Sequence, residues 1–379
     1  MKKRHIRFWR FFRPLVILYS KLKFGYTYEI AKEKELPDTY IVLSNHVTDF
    51  DPLFVCASFP RQMYFVASEH VARWKTLYRF LKYAAEPIIR LKGTVAASTV
   101  IEVLRKVKDG SNVCVFAEGV RTWDGVTCPI LPSTGKLIKN AKCGLVTYKI
   151  TGGYFVSPGW SQSNLRKGYL HGAPVHIYSK EEIAAMSIDE NNAHINEDLY
   201  EDAYATQMAN PKKYKGKDLA KHIENLLFIC PECGQKNTIT SHDDIIECTS
   251  CQSSFKYTEY GMIENCKFET VRDLSDWQKE IVKKDASNNE VYIAEYATLT
   301  QIVKHEETLV AEGKLSLSSM NLTCGDKEIP LSKISTMAIH GRHALVFSVG
   351  KEYYELLPKT PNHALKFLLL FEAYKNANY

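Results

Sequence analysis

Apolar and polar positions along the chain fall into three textures. Between residues 40 and 150, short apolar runs alternate with amphipathic stretches. Residues 40–43, 63–67, 112–116 and 145–150 are too short for helices and predict buried strands, with a further extended piece at 86–90. Apolar residues at helical spacing predict helices over 52–58, 74–83, 94–109 and 133–142. In the third of these, Val95, Ile101, Leu104 and Val107 would face inward, Thr94 and Ser98 would cap the start, and Gly110 would end it. Strands alternating with helices indicate an α/β domain with a mixed, largely parallel sheet. Gly152-Gly153 and Ser157-Pro158-Gly159 are turn chemistry, and residues 165–178 read as short strands around Gly168 and Gly172. Ser187 and Glu190 match a capping box opening a helix toward Ala205. The polar stretch 210–216 reads as a linker, which places this domain at residues 31–215.

The second texture is two C-x-x-C pairs, Cys230/Cys233 and Cys248/Cys251. This spacing suits two knuckles that close a tetrahedral site of four thiolates, a small zinc ribbon over residues 225–260 with Zn2+ in a structural role. Four reduced thiols without metal are the other reading. In the third texture, residues 285–379, short alternating strands are separated by polar turns and followed by an apolar helix over 364–374. This pattern predicts a β-barrel-like domain closed by a helix, and it resembles the pleckstrin-homology-like fold. Proteins of that fold bind lipids or dock proteins, so the pattern fixes no function, although ribbon and barrel offer surfaces for a protein partner.

Composition changes the picture mainly through the distribution of charge. Among the first 30 residues Lys2, Lys3, Arg4, Arg7, Arg10, Arg13, Lys21 and Lys23 stand against one acid, Glu29, which exceeds the net charge of +6 for all 379 residues. The rest of the chain is therefore slightly acidic. The same segment is rich in Phe, Trp, Leu and Ile, yet its longest uncharged run is the seven residues from Pro14 to Ser20. A membrane-spanning helix needs about 20 apolar residues. Either a core helix with a basic edge or a segment lying on an anionic membrane surface remains, and basic residues interleaved with Trp and Phe favour the second. Residues 1–30 are therefore expected to be an amphipathic, basic membrane-surface segment. Ten cysteines without a secretory signal point to a reducing compartment and so to the cytoplasmic face of a membrane. In the ribbon, Lys236 and Lys256 are outnumbered by Glu232, Asp243, Asp244, Glu247 and Glu259, which argues against nucleic acid as a partner.

The candidate chemistry lies where predicted strands end. Asn45-His46-x-x-x-x-Asp51-Pro52 follows the first buried run, and a turn between His46 and Asp51 would let the imidazole meet the carboxylate. Asp51 followed by Pro52 also reads as an N-cap and the first helical position. A base with its orienting acid is one reading; a surface histidine beside a capping aspartate is the other, and Asp49 reads as an ordinary turn residue. Ile88-Ile89-Arg90 ends a second run. Phe116-Ala117-Glu118-Gly119-Val120-Arg121 ends a third.

In this order and spacing the three blocks resemble the glycerolipid acyltransferase superfamily, which includes the lysophosphatidic acid acyltransferases, over residues 40–180. Ala117 and Val120 depart from the family's third block, and Leu145 and Thr147 stand near the usual prolines of its fourth. The resemblance implies an enzyme that moves a fatty acyl group from acyl-CoA or acyl-carrier protein to a lysophospholipid, with 1-acylglycerol-3-phosphate as the best single expectation and phosphatidic acid as product. His46 would be the general base and Asp51 the acid that orients it. Arg121 would grip the acceptor's phosphate, Arg90 would assist, Gly119 would allow close backbone approach, and Glu118 would orient Arg121 or a glycerol hydroxyl. No acyl-enzyme is needed, so Cys114 and Cys128 read as structural thiols. The competing class is a non-catalytic lipid-binding or scaffold protein that uses ribbon and barrel.

Overall fold

The structure, a computed structural model, describes residues 3–69, 71, 75–90, 97–161, 165–303, 306–360 and 363–377. Lys2, Thr94 and Val95, named above, and position 74 at the start of an expected helix lie outside them. The chain divides into two compact units, the first drawn from the chain up to Gly216 and the second from Lys217 onward, with Trp160 belonging to the second.

The first unit opens with helix α1 (Lys3–Phe24). Seven strands follow: β1 (Thr27–Tyr28), β2 (Tyr40–Ser44), β3 (Met63–Ser68), β4 (Ile88–Arg90), β5 (Asn112–Phe116), β6 (Gly144–Thr151) and β7 (His171–Tyr178). They form one sheet in the order β1-β7-β6-β2-β5-β3-β4. Only the β6–β7 pairing is antiparallel; β2 runs parallel to both β5 and β6, and β3 runs parallel to both β4 and β5. Interspersed are α2 (Asp51–Ser58), α3 (Lys75–Ala84), α4 (Ala97–Lys108), α5 (Ser133–Ala141), the single turn α6 (Gly153–Val156), α7 (Lys180–Ala185), α8 (Ile188–Leu199) and α9 (Ala203–Ala209).

The sheet is covered on both faces, which is why β2 reads as an unbroken apolar run and all five of its residues are buried. Ile41 and Leu43 pack with Val103, Val107, Ile138, Ile195 and Leu199 from α4, α5 and α8. On the opposite face Tyr40 meets Phe59, and Phe59 meets Tyr148. Below α2, Tyr26, Tyr148 and Ser58 join their hydroxyls in a buried network at 2.6 Å. The inward face of α4 differs from expectation: Thr99, Val103, Lys106 and Val107 are buried, while Ile101 is 66% exposed. Lys106 reaches Glu86 (3.0 Å), so its stem covers core and its charge stays paired. The expected helix toward Ala205 breaks at Tyr200, because Asp202 starts a new one by accepting from the Ala205 amide.

Helix α1 packs one face on this unit and leaves the other bare. His5, Trp9, Val16, Ser20 and Phe24 are buried, and the Arg13 guanidinium donates to the carbonyls of Cys56 and Ala57 at the end of α2. Phe11, Leu15, Leu18 and Leu22 form the opposite, exposed stripe, with Leu22 at 75%. Among the described residues no helix is long and apolar enough to cross a membrane.

The second unit holds two sheets. The smaller is antiparallel, with β8 (Ile239–His242), β9 (Ile245–Cys248), β10 (Ser254–Tyr257) and β11 (Ile263–Glu264). Helix α10 (Val271–Ser287), absent from the expectations, follows: Thr270 caps it by accepting from the Asp273 amide, and Leu274, Gln278, Val282 and Ala286 line its buried face. The larger sheet has β12 (Tyr292–Val303), β13 (Glu306–Leu317), β14 (Asn321–Cys324), β15 (Lys327–Pro330), β16 (Ile334–His340), β17 (Ala344–Val349) and β18 (Glu352–Thr360). Its order is β15-β14-β13-β12-β18-β17-β16, antiparallel throughout. The hydrogen-bonded ladder ends at β15 and β16, so the expected barrel is a curled half-barrel. Its first two strands have 12 residues each, longer than the short strands read from the sequence. Helix α11 (Ala364–Ala377) packs on β12, β13, β16 and β17.

Candidate active site and metal centre

Parallel strands β2, β4 and β5 bring their carboxyl ends to one edge of the sheet, where ligands of α/β folds collect. Ser44 of β2 pairs with Phe116 of β5, so His46 and Glu118, each two residues further on, are neighbours. Asn45 fixes the departure of the chain from β2. Its side-chain amide donates to the Ile150 carbonyl (2.9 Å) and accepts from the Ile150 amide (2.8 Å), extending the β6 ladder by one buried, side-chain rung.

The turn after Asn45 brings His46 Nδ1 to 2.7 Å from Asp51 Oδ2. Asp51 is fully buried, and the His46 side chain retains 22% of its exposure. The carboxylate also accepts from the amides of Val47 (2.7 Å) and Thr48 (3.0 Å) and from the Thr48 hydroxyl (2.6 Å). With Nδ1–H donated to Asp51, the lone pair lies on Nε2. Phe116 stacks on the imidazole at 4.7 Å, which limits its rotation. Asp51 is not the N-cap expected for it: Phe50 holds that position, and Asp51 is the first residue of α2. The reason is competition, since the carboxylate that would cap α2 is occupied by His46 and the two turn amides.

Glu118 braces the same loop. Oε1 accepts from the His46 amide (2.6 Å) and Oε2 from the Cys128 amide (2.5 Å). Burial pushes its carboxyl up to about 8, against the opposing pull of those amides. Both oxygens are thus engaged by backbone, and the expected contact with Arg121 does not occur. Arg121 differs from expectation too. Its Nη1 donates to Asp49 Oδ2 (2.8 Å), Nη2 to the Ser157 carbonyl (2.5 Å), and Nε and Nη2 to the Val47 carbonyl (3.4 and 3.3 Å). The guanidinium is occupied in clamping the His46 loop to the turn at Ser157. Asp49, read as an ordinary turn residue, is its ionic partner.

Of the two arginines expected at the site, Arg90 is the one with a buried donor that has no hydrogen-bond partner. That donor is its Nε, and the residue ends β4. Burial lowers its pKa, while Glu69 works in the opposite direction. Its Nη1 lies 2.8 Å from where a Cβ on Gly119 would sit, and Gly119 has φ +70°. Any side chain at 119 would displace this guanidinium and strain the turn. Cys114 is wholly buried, and burial raises its thiol well above the ordinary range. The Thr147 hydroxyl donates to buried Asp198 (2.8 Å), which also meets His176 Nδ1 (2.6 Å).

In the second unit, Cys230, Cys233, Cys248 and Cys251 bring their sulfurs within 4.8 Å of one another. Cys230 and Cys251 stand 3.7 Å apart and Cys233 and Cys248 3.8 Å, too far for disulfides. Thiolates at about 2.3 Å from one central zinc ion would form a tetrahedron with edges of about 3.8 Å. The two pairs fold alike. Gly234 N–H donates to the Cys230 carbonyl and Gln252 N–H to the Cys248 carbonyl, while the amides of Cys230 and Cys248 donate to the carbonyls of Gln235 and Ser253. Each knuckle turns through a left-handed residue, Gly234 at φ +71° and Gln252 at φ +62°. The donor set and its geometry suit a metal ion.

Residues 28–151 match the family model named Acyltransferase. The match covers the three blocks and supports the resemblance to the glycerolipid acyltransferase superfamily for this part of the chain. The crystal structure of the 1-acyl-sn-glycerophosphate (LPA) acyltransferase PlsC from Thermotoga maritima is similar to 54% of this chain and 81% of its own, with 15% identity and a TM-score of 0.43. No curated protein sequence matches.

Proposed function

We propose that the protein is a peripheral membrane acyltransferase that moves a fatty acyl group from a thioester donor to the hydroxyl of a lysophospholipid, with 1-acylglycerol-3-phosphate the preferred acceptor. The observation that carries this reading is the His46–Asp51 pair at 2.7 Å, with a buried acid and a partly exposed imidazole, inside a segment that matches the Acyltransferase family. Nε2 takes the proton of the acceptor hydroxyl as its oxygen attacks the thioester carbonyl. The imidazolium, held by Asp51, returns that proton to the departing thiolate. Such base catalysis is typically worth about 10²–10⁴ in rate. Arg90, beside Gly119, holds the acceptor's phosphate; Glu118 and Arg121 hold the His46 loop.

The exposed stripe of α1 supports the membrane part of the proposal. Phe11, Leu15, Leu18 and Leu22 recur at three- and four-residue steps, and helical geometry places Arg7, Arg10 and Lys21 along their flank. Phe8 extends the patch toward Phe80 of α3 (5.9 Å). Apolar side chains entering the lipid boundary beside basic residues facing anionic head groups would hold the site at the bilayer. The four cysteines hold Zn2+ in a structural role, since four thiolates leave no open coordination position.

The test is release of free thiol from acyl-CoA and from acyl-carrier protein, measured across a panel of lysolipids on anionic vesicles. The expected result is acceptor-dependent release, highest with 1-acylglycerol-3-phosphate. Thiol release indifferent to every acceptor would remove the proposal.

A further inference from the structure

The second unit contains a cavity of about 460 Å³ bounded by the first cysteine knuckle, the start of β12 and helix α11. Lys366 enters it from α11 and is only 1% exposed. Its ammonium donates to Asn237 Oδ1 (2.8 Å) and to the Ile293 carbonyl (3.0 Å). The β12–β18 ladder begins only at Tyr296, so Lys366 takes a carbonyl that β18 does not reach. An ammonium has three donors, and two are accounted for. Both acceptors are neutral, and among the described residues no carboxylate pairs with Lys366.

The other lysine of the cavity is balanced. Lys236 lies 2.6 Å from Asp285 Oδ2, which also accepts from the Tyr292 hydroxyl (2.6 Å). The ammonium of Lys366 is therefore buried with no carboxylate in contact, and a buried charge without a counter-ion at hand is strongly unfavourable. Burial draws Lys366 down to about 8, with no other influence on it, so it still carries its proton at neutral pH.

The remaining walls define what kind of anion fits. Phe228 is buried behind the cavity, and Val291 and Ile293 present part of their apolar surface beside it. Glu290 and Glu295 also line it, and their charge disfavours a doubly charged head group such as a phosphate monoester. The volume falls in the lower part of the range of small-molecule sites. We propose that this cavity binds a monocarboxylate with an apolar body, its head group accepting the third hydrogen of Lys366 and its chain covering Val291 and Ile293. This assignment is independent of the acyl-transfer reading.

The test is titration calorimetry of the full-length protein with decanoate, kept below its micelle-forming concentration, with 1-decanol and decyl phosphate in parallel. Saturable binding of one decanoate per chain is expected, at least about tenfold tighter than either analogue and weakened at least about tenfold by Lys366→Met. Ile293→Glu, at a partly exposed position, should weaken it similarly while the circular-dichroism melt stays that of wild type. This variant decides the matter if Lys366→Met does not fold. Absence of saturable binding, equal binding of decyl phosphate, or decanoate affinity unchanged in Ile293→Glu would overturn the assignment.

Discussion

Replacing Arg121 by lysine separates two roles that the same residue type serves equally well in a sequence. As a phosphate grip, Arg121 would contribute to acceptor affinity. In the structure its planar head instead spans the Val47 and Ser157 carbonyls and the Asp49 carboxylate at once. A lysine ammonium can follow one of these directions but not the planar fork. Hydrogen bonds to a charged donor are worth about 1.5–3 kcal/mol each. The pair with Asp49 contributes little of this, because that carboxylate is 59% exposed. Loss of one or two carbonyl contacts therefore costs about 2–4 kcal/mol. For a domain of this size that corresponds to roughly 5–15 °C in melting temperature. Because Val47 follows His46, the base loses its position, and kcat should fall by roughly 10–10²-fold. KM for a phosphate-bearing acceptor should stay within about threefold, since the proposed site gives the phosphate to Arg90. Differential scanning calorimetry and steady-state thiol release on the same preparation read all three. A large rise in KM, with melting temperature and kcat near wild type, would refute the clamp and restore the phosphate role.

Other expectations follow from the same geometry. Arg90→Ala should show the converse pattern, KM for phosphate-bearing acceptors raised by about tenfold or more with little change for neutral ones, because its guanidinium is not part of the protein's own clamps. Glu118 titrates near 8 when folded against 4.5 unfolded, so the fold keeps a proton that the unfolded chain has lost. Its contribution to stability is greatest below pH 4.5 and diminishes as pH rises through about 8, a loss that Glu118→Gln removes. Between pH 6 and 8.5 the urea midpoint of the wild type should fall relative to that of Glu118→Gln, and parallel changes would contradict this. Gln252→Gly relieves a left-handed backbone at the second knuckle and should stabilise the metal-loaded protein by about 0.5–1 kcal/mol in a denaturant titration. Removing metal with a chelator should release about one zinc per chain and lower the melting temperature of the second unit; a metal-free protein that melts unchanged would exclude a structural ion.

The parts of the fold legible in the sequence are those whose signal is local. Residues 112–116 form a strand because an unbroken apolar run has nowhere to go but the middle of a covered sheet. The Ser187–Glu190 capping box is formed because both halves of it are three residues apart. The two C-x-x-C pairs come together because each knuckle is complete within six residues. What stayed hidden depends on distant partners. Arg121 and Asp49 are 72 residues apart, and the acceptors of the clamp are backbone carbonyls, which carry no residue-specific trace. The same holds for Glu118, whose partners are the amides of His46 and Cys128. Helix α10 was readable from Thr270, Asp273 and the spacing of Leu274, Gln278, Val282 and Ala286, but a polar Gln in the buried stripe obscured it; Gln278 is buried because it serves the backbone of Leu226, Phe228 and Ile229. In α1, periodicity revealed apolar positions on more than one side, and only packing decides which face is covered.

In the proposed reaction His46, oriented by Asp51, is the base that activates an acceptor hydroxyl. Thiol release from acyl-CoA with 1-acylglycerol-3-phosphate on anionic vesicles should fall by about 10²–10⁴-fold in His46→Ala, with an unchanged melting temperature. Turnover within about threefold of wild type in a folded His46→Ala protein would contradict the account.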